Sequence, residues 1–349
     1  MIKTVVHVII VGTWILLCLG FLVVCVFKLW HRAVALPSPR QVIKEGLKAK
    51  KQSTDISIRK DTKVRLLSLN LFMLPGPVVR HSWCDSKEER LNEFCRLYLS
   101  SFDVLCLQEC FSTFSSRYHT LIKEAKVHGH HYHVLPQAPS WASAELFDSG
   151  TTILSRYPIL ARKWTPFPWA TYPNIFAAQG LQWALIDLGP KGLLNVFNLH
   201  LQSYLTLRPS PLAMMAQESQ LKRVWEAVRR LAHPCAPTVV CGDWNIDMAH
   251  APNRKFMWKH VAPKFQLAIP HHPQVPLSTH RAFYRNGKEV ATLKAKVSSR
   301  EQRGLEECPQ WLDHIFYKNL QLHDACIHAF ELKTHPYRCS DHDGVSIVF

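Results

Sequence analysis

The sequence predicts an α/β fold, and three observations support this prediction. Apolar runs of strand length recur along the chain, segments with helical periodicity lie between them, and no internal repeat is visible. Strands that alternate with helices favour layered packing of sheet and helix. The chain has 349 residues, of which 47% are hydrophobic, so it can form a sizeable core in one large domain or two small ones.

The predicted elements follow from local patterning. Eight apolar runs are predicted to be strands, at 64–69, 104–107, 152–154, 183–188, 193–199, 239–241, 315–317 and 345–348. Two segments repeat apolar residues at helical spacing, near 88–100 and 214–232. We therefore expect the folded α/β domain to cover residues 64–349.

The first 32 residues predict a membrane anchor. Residues 5–27 are apolar apart from His7 and Thr13, and such a run can span a bilayer core of roughly 30 Å. Lys3 is the only basic residue before the run, whereas seven Lys or Arg residues follow it within 28–51. The positive-inside rule then predicts a single-pass membrane protein with a cytosolic catalytic domain. A cleaved signal peptide is the alternative, with 33–35 as the cleavage site.

A basic linker is predicted over residues 33–63. It contains the Pro37-Ser38-Pro39 sequence near its start and further lysines and arginines up to Lys63. Beside a membrane, each basic residue would attract anionic lipid by roughly 1 kcal/mol. A solvated linker that only carries the topology signal is the alternative interpretation.

Charge and cysteine content narrow the class of protein. The net charge of +16 favours an anionic partner, which includes nucleic acid, a membrane surface or a phosphate-bearing substrate. The eleven cysteines include no CxxC pair, which argues against a zinc ribbon. The chain also has no Asn-x-Ser/Thr acceptor, and together these facts favour a reducing compartment.

Polar and ionisable residues recur at the ends of the apolar runs, where α/β sheets bind their ligands. These residues are Asn70, Glu109, His200, Asp243, Asn245, Asp341 and His342. Mg²⁺ prefers hard oxygen ligands, often one or two carboxylates beside a substrate phosphate. Asn70, Glu109 and Asp341 are therefore predicted to bind Mg²⁺, with Mn²⁺ as an alternative ion.

The remaining residues suit the attack of water on a phosphodiester. His342 is the candidate general base, because imidazole titrates near neutral pH, and Asp313 is its candidate orienting partner. His200 is predicted to donate to a phosphoryl oxygen as charge develops there. Asp243 and Asn245 flank Trp244 and are predicted to orient water and phosphate.

Five short motifs occur in the order typical of the endonuclease/exonuclease/phosphatase superfamily, and the chain resembles that superfamily from about residue 64 to 349. The motifs are Ser68-Leu69-Asn70, Gln108-Glu109, Gly242-Asp243-Trp244-Asn245, Leu312-Asp313 and Ser340-Asp341-His342. The resemblance implies a four-layer α/β sandwich with two central mixed β-sheets and metal-dependent attack on a phosphoester. It also implies an acidic partner for His200, for which Asp148 is the nearest match.

Within the superfamily, the chain is most similar to the neutral sphingomyelinases. Asn70-Leu71-Phe72-Met73-Leu74-Pro75 resembles their opening, and His200-Leu201-Gln202 resembles their HLQ signature. This implies a phospholipase C type hydrolase that cleaves sphingomyelin to ceramide and phosphocholine. The alternatives are a nuclease of the same fold, a phosphatase acting on another lipid, and a membrane scaffold without activity. Nucleic acid is the less expected partner, because much of the positive charge precedes residue 66.

The chain departs from the bacterial sphingomyelinases in two places. Residues 320–339 lack the exposed Trp-Phe pair with which those enzymes enter membranes. An aromatic cluster at Trp164, Phe167, Trp169, Tyr172 and Phe176 could replace it, although core packing is the expected role of these rings. Residues 253–310 match least, and we expect at most a substrate-side loop around Thr279 and His280.

Overall fold

The computed structural model describes residues 63–74, 86–139, 145–204, 210–271, 277–285, 288–291, 306–332 and 338–349. The helices are α1 (Lys87–Tyr98), α2 (Arg117–Val127), α3 (Pro211–Leu231) and α4 (Ala251–His260). The strands are β1 (Arg65–Met73), β2 (Val104–Cys110), β3 (Tyr132–Val134), β4 (Thr152–Ser155), β5 (Ile159–Pro166), β6 (Gly180–Asp187), β7 (Leu193–His200), β8 (Thr238–Asp243), β9 (Gln266–Leu267), β10 (His280–Arg285), β11 (Lys288–Ala291), β12 (Glu306–Gln310), β13 (Asp313–Lys318), β14 (Asp324–His328) and β15 (Gly344–Val348).

Two mixed sheets of six strands form the centre of the fold. The first has the order β14-β15-β1-β2-β4-β3, and the second has the order β5-β6-β7-β8-β13-β9. Each sheet contains one parallel pair, β1 with β2 and β7 with β8, among antiparallel neighbours. The two parallel pairs matter for function because the carboxyl ends of parallel strands lie side by side.

The two sheets pack face to face through a core of small and branched side chains. Val104 and Ile153 of the first sheet share this core with Val196, Val239 and Ile315 of the second. Alternate residues of the same strands face outward, as the period of two in a strand requires. These outward residues bury against helices, so that both faces of each sheet are covered.

The helices complete a four-layer sandwich. Leu91 and Phe94 of α1 and Leu121 of α2 pack with Leu69 and Leu105 on the outer face of the first sheet. On the outer face of the second sheet, α3 and α4 pack with a core that includes Trp183, Phe197 and Val240. Ser210 begins α3 by accepting a hydrogen bond from the Ala213 amide at 3.2 Å, and Pro211 occupies the first turn. The α/β class and the two mixed sheets predicted above are confirmed.

A third, three-stranded antiparallel sheet has the order β11-β10-β12. It lies within residues 280–310, which are most of the segment that the motifs left without a role. His280 and Gln310 are opposite each other at the start of this sheet. A bridge between His280 and His342 then joins the small sheet to the end of the chain.

All eight predicted strands and both predicted helices are present, with the structure extending most of them by a few residues. Helices α2 and α4 escaped prediction because their apolar patterns are weak. Only Met257 is buried on α4, and α2 buries Tyr118, Leu121 and Ala125.

The prediction of a single-pass membrane protein is corrected by the structure. Within the described part of the chain, no helix is both long and apolar enough to cross a bilayer. The predicted anchor at 1–32 and the basic linker up to residue 62 lie outside the described residues. The cytosolic placement of the catalytic domain depended on that helix and is withdrawn with it.

Candidate active site

The two parallel strand pairs place the polar residues at one edge of the sandwich. Asn70 lies beside Gln108 in the register of β1 and β2, and Glu109 is the next residue of β2. His200 lies opposite Asp243 where β7 and β8 end. The first sheet therefore contributes an amide and a carboxylate, and the second contributes an imidazole and a carboxylate, to the same edge of the sandwich.

Two of the predicted site residues, Glu109 and Asn245, have a left-handed backbone conformation. Glu109 has φ of 55° and Asn245 has φ of 50°. Non-glycine residues in this region cost roughly 1–3 kcal/mol and persist only where the surroundings hold them, often at functional sites. The turn at each strand end sets the direction of the side chain that follows. Two positions that the motifs identify are thus among the seven non-glycine residues with positive φ in the described part of the chain.

Asn70 joins the two halves of the site. Its Nδ2 donates to Glu109 Oε1 and to Asp243 Oδ2, each at 3.0 Å. Its Oδ1 accepts from the backbone amide of Phe72 at 2.9 Å. The amide nitrogen, rather than the oxygen, therefore faces the two carboxylates in this arrangement, and a bound cation would need the remaining lone pair of Oδ1.

His342 and Asp313 form the shortest side-chain contact between site residues. His342 Nδ1 lies 2.7 Å from Asp313 Oδ2, and both residues are buried. The other ring nitrogen, Nε2, lies 3.8 Å from Asp243 Oδ2. A carboxylate on Nδ1 holds the imidazole so that Nε2 faces the centre of the site, where it can accept a proton.

Thr279 holds Asp313 and the residue before it in position. Its hydroxyl oxygen accepts from the backbone amides of Leu312 and Asp313, each at 3.0 Å. Its carbonyl oxygen also accepts from the Asp343 amide at 2.6 Å. A single buried threonine thus joins the segment before β13 to the segment that carries His342.

The sequence predicted His280 only as part of a substrate-side loop, and the structure places it in the site. Its Nδ1 lies 3.1 Å from Gln310 Oε1, its Nε2 lies 3.7 Å from Asp341 Oδ2, and its ring centroid is 4.7 Å from that of His342. The expectation of a substrate-side loop was too weak, since His280 is buried beside the candidate base. No sequence signal indicates this position, because the small sheet that brings it there pairs distant residues.

Asp341 is fixed from several sides. Ser340 Oγ contacts Asp341 Oδ1 at 3.2 Å and donates to the Asn70 carbonyl oxygen at 2.5 Å. Arg90 of α1 donates to the carbonyl oxygens of Leu71 and Cys339, so that the end of β1 is tied to the segment before Asp341. The predicted metal ligands Asn70 and Asp341 are therefore held together through the backbone.

His200 and Asn245 lie on the second-sheet side. His200 Nε2 is 3.5 Å from Asp243 Oδ2 and 3.9 Å from Glu109 Oε1, and it has no hydrogen-bond partner. Asn245 donates from Nδ2 to the Leu201 carbonyl oxygen at 3.0 Å, while its amide donates to Asp243 Oδ1 at 2.9 Å. All eight predicted site residues are thus gathered at one edge of the sandwich.

Asp148 does not take the expected place beside His200. Its Oδ2 accepts from the backbone amides and hydroxyls of Ser112 and Thr113 at 2.6–2.9 Å, and its Oδ1 accepts from the Gly150 amide at 2.8 Å. This carboxylate instead fastens the loop that follows Glu109. The acidic neighbours of His200 are Asp243 and Glu109.

A buried hydrogen-bond bridge between the sheets lies directly beneath the site. Gln108 of β2 donates from Nε2 to Asn198 Oδ1 of β7 at 2.7 Å. Asn198 in turn donates from Nδ2 to the carbonyl oxygens of Leu107 and Thr152 at 3.0 and 2.9 Å. Gln108 is the residue before Glu109, and Asn198 lies two residues before His200. The bridge therefore sets the distance between the two halves of the site.

The site contains more buried negative charge than its histidines can balance. Glu109, Asp243, Asp313 and Asp341 converge within it. Burial raises the pKa of Glu109, and the nearby Asp341 adds to this effect. Burial lowers the pKa of His342, but the carboxylates of Asp313, Asp243 and Asp341 outweigh it and raise that pKa well above its usual value. Burial also acts to raise the pKa of Asp341, yet His342, His280 and Arg90 lower it overall.

These residues fit a divalent cation. Glu109 Oε2 is buried and has no hydrogen-bond partner, although a buried carboxylate oxygen normally has one. A cation would use this oxygen and offset the excess charge. Among the described residues, two groups bring three ionisable ligand atoms within 4.8 Å of one another, one with Asp243, Asp313 and His342 and one with His280, Asp341 and His342. Of the predicted ligands, these groups include Asp341 but not Glu109.

A family model for the Endonuclease/Exonuclease/phosphatase family matches residues 67–342, which include every predicted site residue. The chain belongs to this family. The match includes the strands of both six-stranded sheets apart from β15, which follows it, so the resemblance inferred from the five motifs is confirmed. Members of this family carry different activities on one fold, and the fold alone does not choose the substrate.

Two similar proteins bear sphingomyelinase names. A sphingomyelinase of Dictyostelium discoideum is 30% identical over 113 residues, which cover 30% of this chain and 25% of that protein. Sphingomyelin phosphodiesterase 5 of Danio rerio is 27% identical over 172 residues, which cover 44% of this chain and 30% of that protein. The chain thus matches only about a third or less of the length of these relatives.

The fold is also similar to that of a solved bacterial protein. The structure of a beta toxin variant from Staphylococcus aureus with bound magnesium ions aligns with a TM-score of 0.62 at 18% sequence identity. The alignment covers 82% of this chain and 99% of that one. Because the identity is low, this likeness concerns the fold.

Proposed function

We propose that this protein is a Mg²⁺-dependent phosphodiesterase of the phospholipase C type that hydrolyses sphingomyelin to ceramide and phosphocholine. The observation that carries the proposal is the His342–Asp313 pair at 2.7 Å, with His342 Nε2 facing the buried carboxylates. A base of this kind beside a cation-binding cluster suits attack of water on phosphorus. The names of the two relatives support the choice of a sphingomyelin-type lipid.

Glu109, Asn70 and Asp341 would hold Mg²⁺. When bound, Mg²⁺ would neutralise phosphate charge and stabilise the leaving oxygen. The unpartnered Oε2 of Glu109 supports its role as a ligand. Asn70 supports the arrangement in a second way, because its hydrogen bonds hold Glu109 and Asp243 at a fixed separation.

The chain's own residues would carry the proton and orient the phosphate. His342 Nε2 takes the proton of the attacking water as its oxygen bonds to phosphorus, and Asp313 stabilises the imidazolium that forms. The bond between phosphorus and the ceramide oxygen breaks, that oxygen takes up a proton from solvent water, and the His342 imidazolium later returns its proton to solvent. His200, whose Nε2 has no partner, donates to a non-bridging phosphoryl oxygen. Asp243 and Asn245 orient the water and the phosphate.

The test is phosphocholine release from sphingomyelin in mixed detergent micelles by the full-length protein, with Mg²⁺ and with chelator. We expect release that requires Mg²⁺, and we expect His342→Ala to lower it by about 10³-fold, within the usual range for loss of a general base. Folding of the variant is checked by circular dichroism and thermal melting.

Plasmid DNA serves as the parallel substrate, because a nuclease is the main alternative. Intact DNA alongside Mg²⁺-dependent phosphocholine release supports the proposal. DNA cleavage without lipid turnover would refute it. Release of inorganic phosphate from a phosphoinositide, without phosphocholine release, would indicate a lipid phosphatase instead.

A further inference from the structure

Large apolar side chains are exposed on three loops that border the candidate site. Phe114 is 75% exposed, Leu146 is 58%, Tyr172 is 69% and Phe176 is 42%. We call these four residues the apolar rim. The expected core packing is correct for Phe167, which is fully buried, and wrong for Tyr172 and Phe176.

The rim is one continuous surface. The rings of Phe114 and Phe147 are in edge contact with centroids 6.4 Å apart. The amides of Leu146 and Phe147 both donate to the Phe176 carbonyl oxygen, at 2.7 and 3.0 Å. Tyr172 belongs to the turn closed by the hydrogen bond from the Ile175 amide to the Thr171 carbonyl oxygen at 2.9 Å.

Two of these loops are held by buried side chains and lie close in sequence to site residues. The loop with Phe114 follows Glu109 and is held by the buried carboxylate of Asp148. The loop with Tyr172 is held by Gln202, which accepts from the Thr171 amide at 2.7 Å and contacts Asn174 at 2.9 Å. Gln202 comes two residues after His200. The apolar side chains are therefore presented at a fixed place beside the site.

The first turn of α3 extends the exposed apolar surface on the same side. Leu212, Met214 and Met215 are all exposed there. Gln217, in the next turn, donates to the carbonyl oxygens of Gln202 and Asn245 at 2.9 and 2.8 Å. Within the described residues, the other exposed large apolar side chains are Val127, Leu135 and Trp258.

The lack of charged side chains on the rim indicates which class of partner it can bind. Residues 110–116 and 171–177 contain no Asp, Glu, Lys or Arg, and the two carboxylates near Leu146, Glu145 and Asp148, are buried. A polyanion such as nucleic acid would need lysine or arginine here. Aromatic rings and exposed aliphatic side chains suit the interface of a lipid bilayer, and a contiguous exposed apolar patch on a soluble domain marks an interaction surface.

We propose that the apolar rim docks onto the surface of a zwitterionic lipid bilayer, so that a lipid headgroup in that surface enters the site beside it. This rests on the proposed function for the substrate. The partner is the bilayer surface itself, and the rim contacts its acyl and interfacial region while the buried polar residues contact the phosphodiester.

The first test follows amide hydrogen exchange of the full-length protein with vesicles of phosphatidylcholine and sphingomyelin, in chelator to prevent hydrolysis. We expect slower exchange in peptides covering 111–116 and 171–177. Exchange should be unchanged around Val127, which is 72% exposed and lies at the end of α2 opposite the loop of Phe114. Unchanged exchange in the rim peptides, or protection that appears only when anionic lipid is added, would overturn the proposal.

The second test compares two substrates in the triple variant Phe114→Ser, Leu146→Ser, Tyr172→Ser, with Val127→Ser as the matched control. On sphingomyelin vesicles we expect an apparent KM at least about tenfold higher, which corresponds to about 1.4 kcal/mol of binding. Turnover of short-chain sphingomyelin, kept below its critical micelle concentration, should change by less than about twofold. Equal vesicle kinetics in the triple variant and in the control would refute docking by the rim.

The two tests separate the two proposals. Rim protection by vesicles in a protein that does not hydrolyse sphingomyelin would refute the proposed function and leave the docking surface supported. Hydrolysis of micellar sphingomyelin without rim protection would refute the docking surface alone.

Discussion

The candidate site has a floor, by which we mean its buried polar residues and the bridge beneath them, and this floor differs from the apolar rim beside it in burial and in polarity. On the floor, Asp313 and His342 are buried and each contacts a partner side chain. On the rim, Phe114 and Tyr172 direct large apolar side chains into solvent. Two charges interact more strongly in a buried site than in water, because the effective dielectric constant is lower there. An exposed apolar surface, in contrast, lowers the free energy only when a partner covers it. The floor therefore suits chemistry on a small group, and the rim suits recognition of an extended surface.

This difference predicts how substitutions in each region should affect activity on monomeric and on vesicle substrates. A change on the floor should affect monomeric and vesicle substrates equally, because both present the same phosphodiester. A change on the rim should affect only vesicles. The three floor variants below are ordered from the largest expected effect to the smallest.

Asp313→Asn should have the largest effect, with kcat/KM about 10³-fold lower on both kinds of substrate, because the imidazole loses its orienting anion. The Asp313 carboxylate is one of the groups that raise the pKa of His342. Without it that pKa falls, and the neutral base persists to lower pH. The acid limb of the kcat/KM profile should therefore move to lower pH at saturating Mg²⁺.

If Asp313→Asn lowered kcat/KM on vesicle substrate alone, Asp313 would belong to lipid docking, and the distinction between floor and rim would fail. An unchanged acid limb would show that His342 is not the group that titrates there. The Val127→Ser protein serves as the control, because its pH profile should equal that of the wild type.

Asn198→Ala should destabilise the domain by about 3 kcal/mol, since the carbonyl oxygens of Leu107 and Thr152 and the amide of Gln108 all lose a buried partner. Urea denaturation followed by tryptophan fluorescence measures this change. Asn92→Ala is the control, because Asn92 is exposed on α1 and its loss should cost less than about 0.5 kcal/mol. Equal stabilities of the two variants would show that the bridge between the sheets adds no net stability.

His280→Ala should have the smallest effect, about a tenfold fall in kcat/KM, in keeping with loss of one positioning contact to Asp341. His280 is one of the groups that lower the pKa of Asp341, so this pKa should rise in the variant. Because the acid limb is assigned to His342, whose pKa is raised mainly by Asp313 and Asp243, that limb should move less than in Asp313→Asn. Partial recovery of kcat/KM by His280→Asn would support a positioning role, and an acid limb shifted as far as in Asp313→Asn would contradict it.

The sequence predicted the parts of the structure that depend on local pattern. Strands such as 104–107 and 239–241 are continuous apolar runs because both of their faces are buried. Site residues such as Glu109 and Asp243 follow these runs directly, and their motifs kept their order in the chain. The roles of these residues in binding and catalysis remain predictions.

The features that the sequence did not predict depend on contacts between distant residues. His280 reaches the site through the pairing of β10 with β12, which have little strand pattern of their own. Asp148 precedes a strand as the resemblance required, but its oxygens are taken by Ser112 and Thr113. The exposure of Tyr172 could not be read from an aromatic cluster that also contains the buried Phe167.

Gly242 has a backbone φ of 146°, and a β-carbon at this position would collide with the Leu199 carbonyl oxygen of the neighbouring strand. The backbones of β7 and β8 therefore lie close together one residue before Asp243 and His200, which end those strands. Any side chain at position 242 would push the two strands apart and widen the gap between the imidazole and the carboxylate without altering either group. Position 242 is thus a place at which the distance between His200 and Asp243 could be changed while their chemistry stays the same.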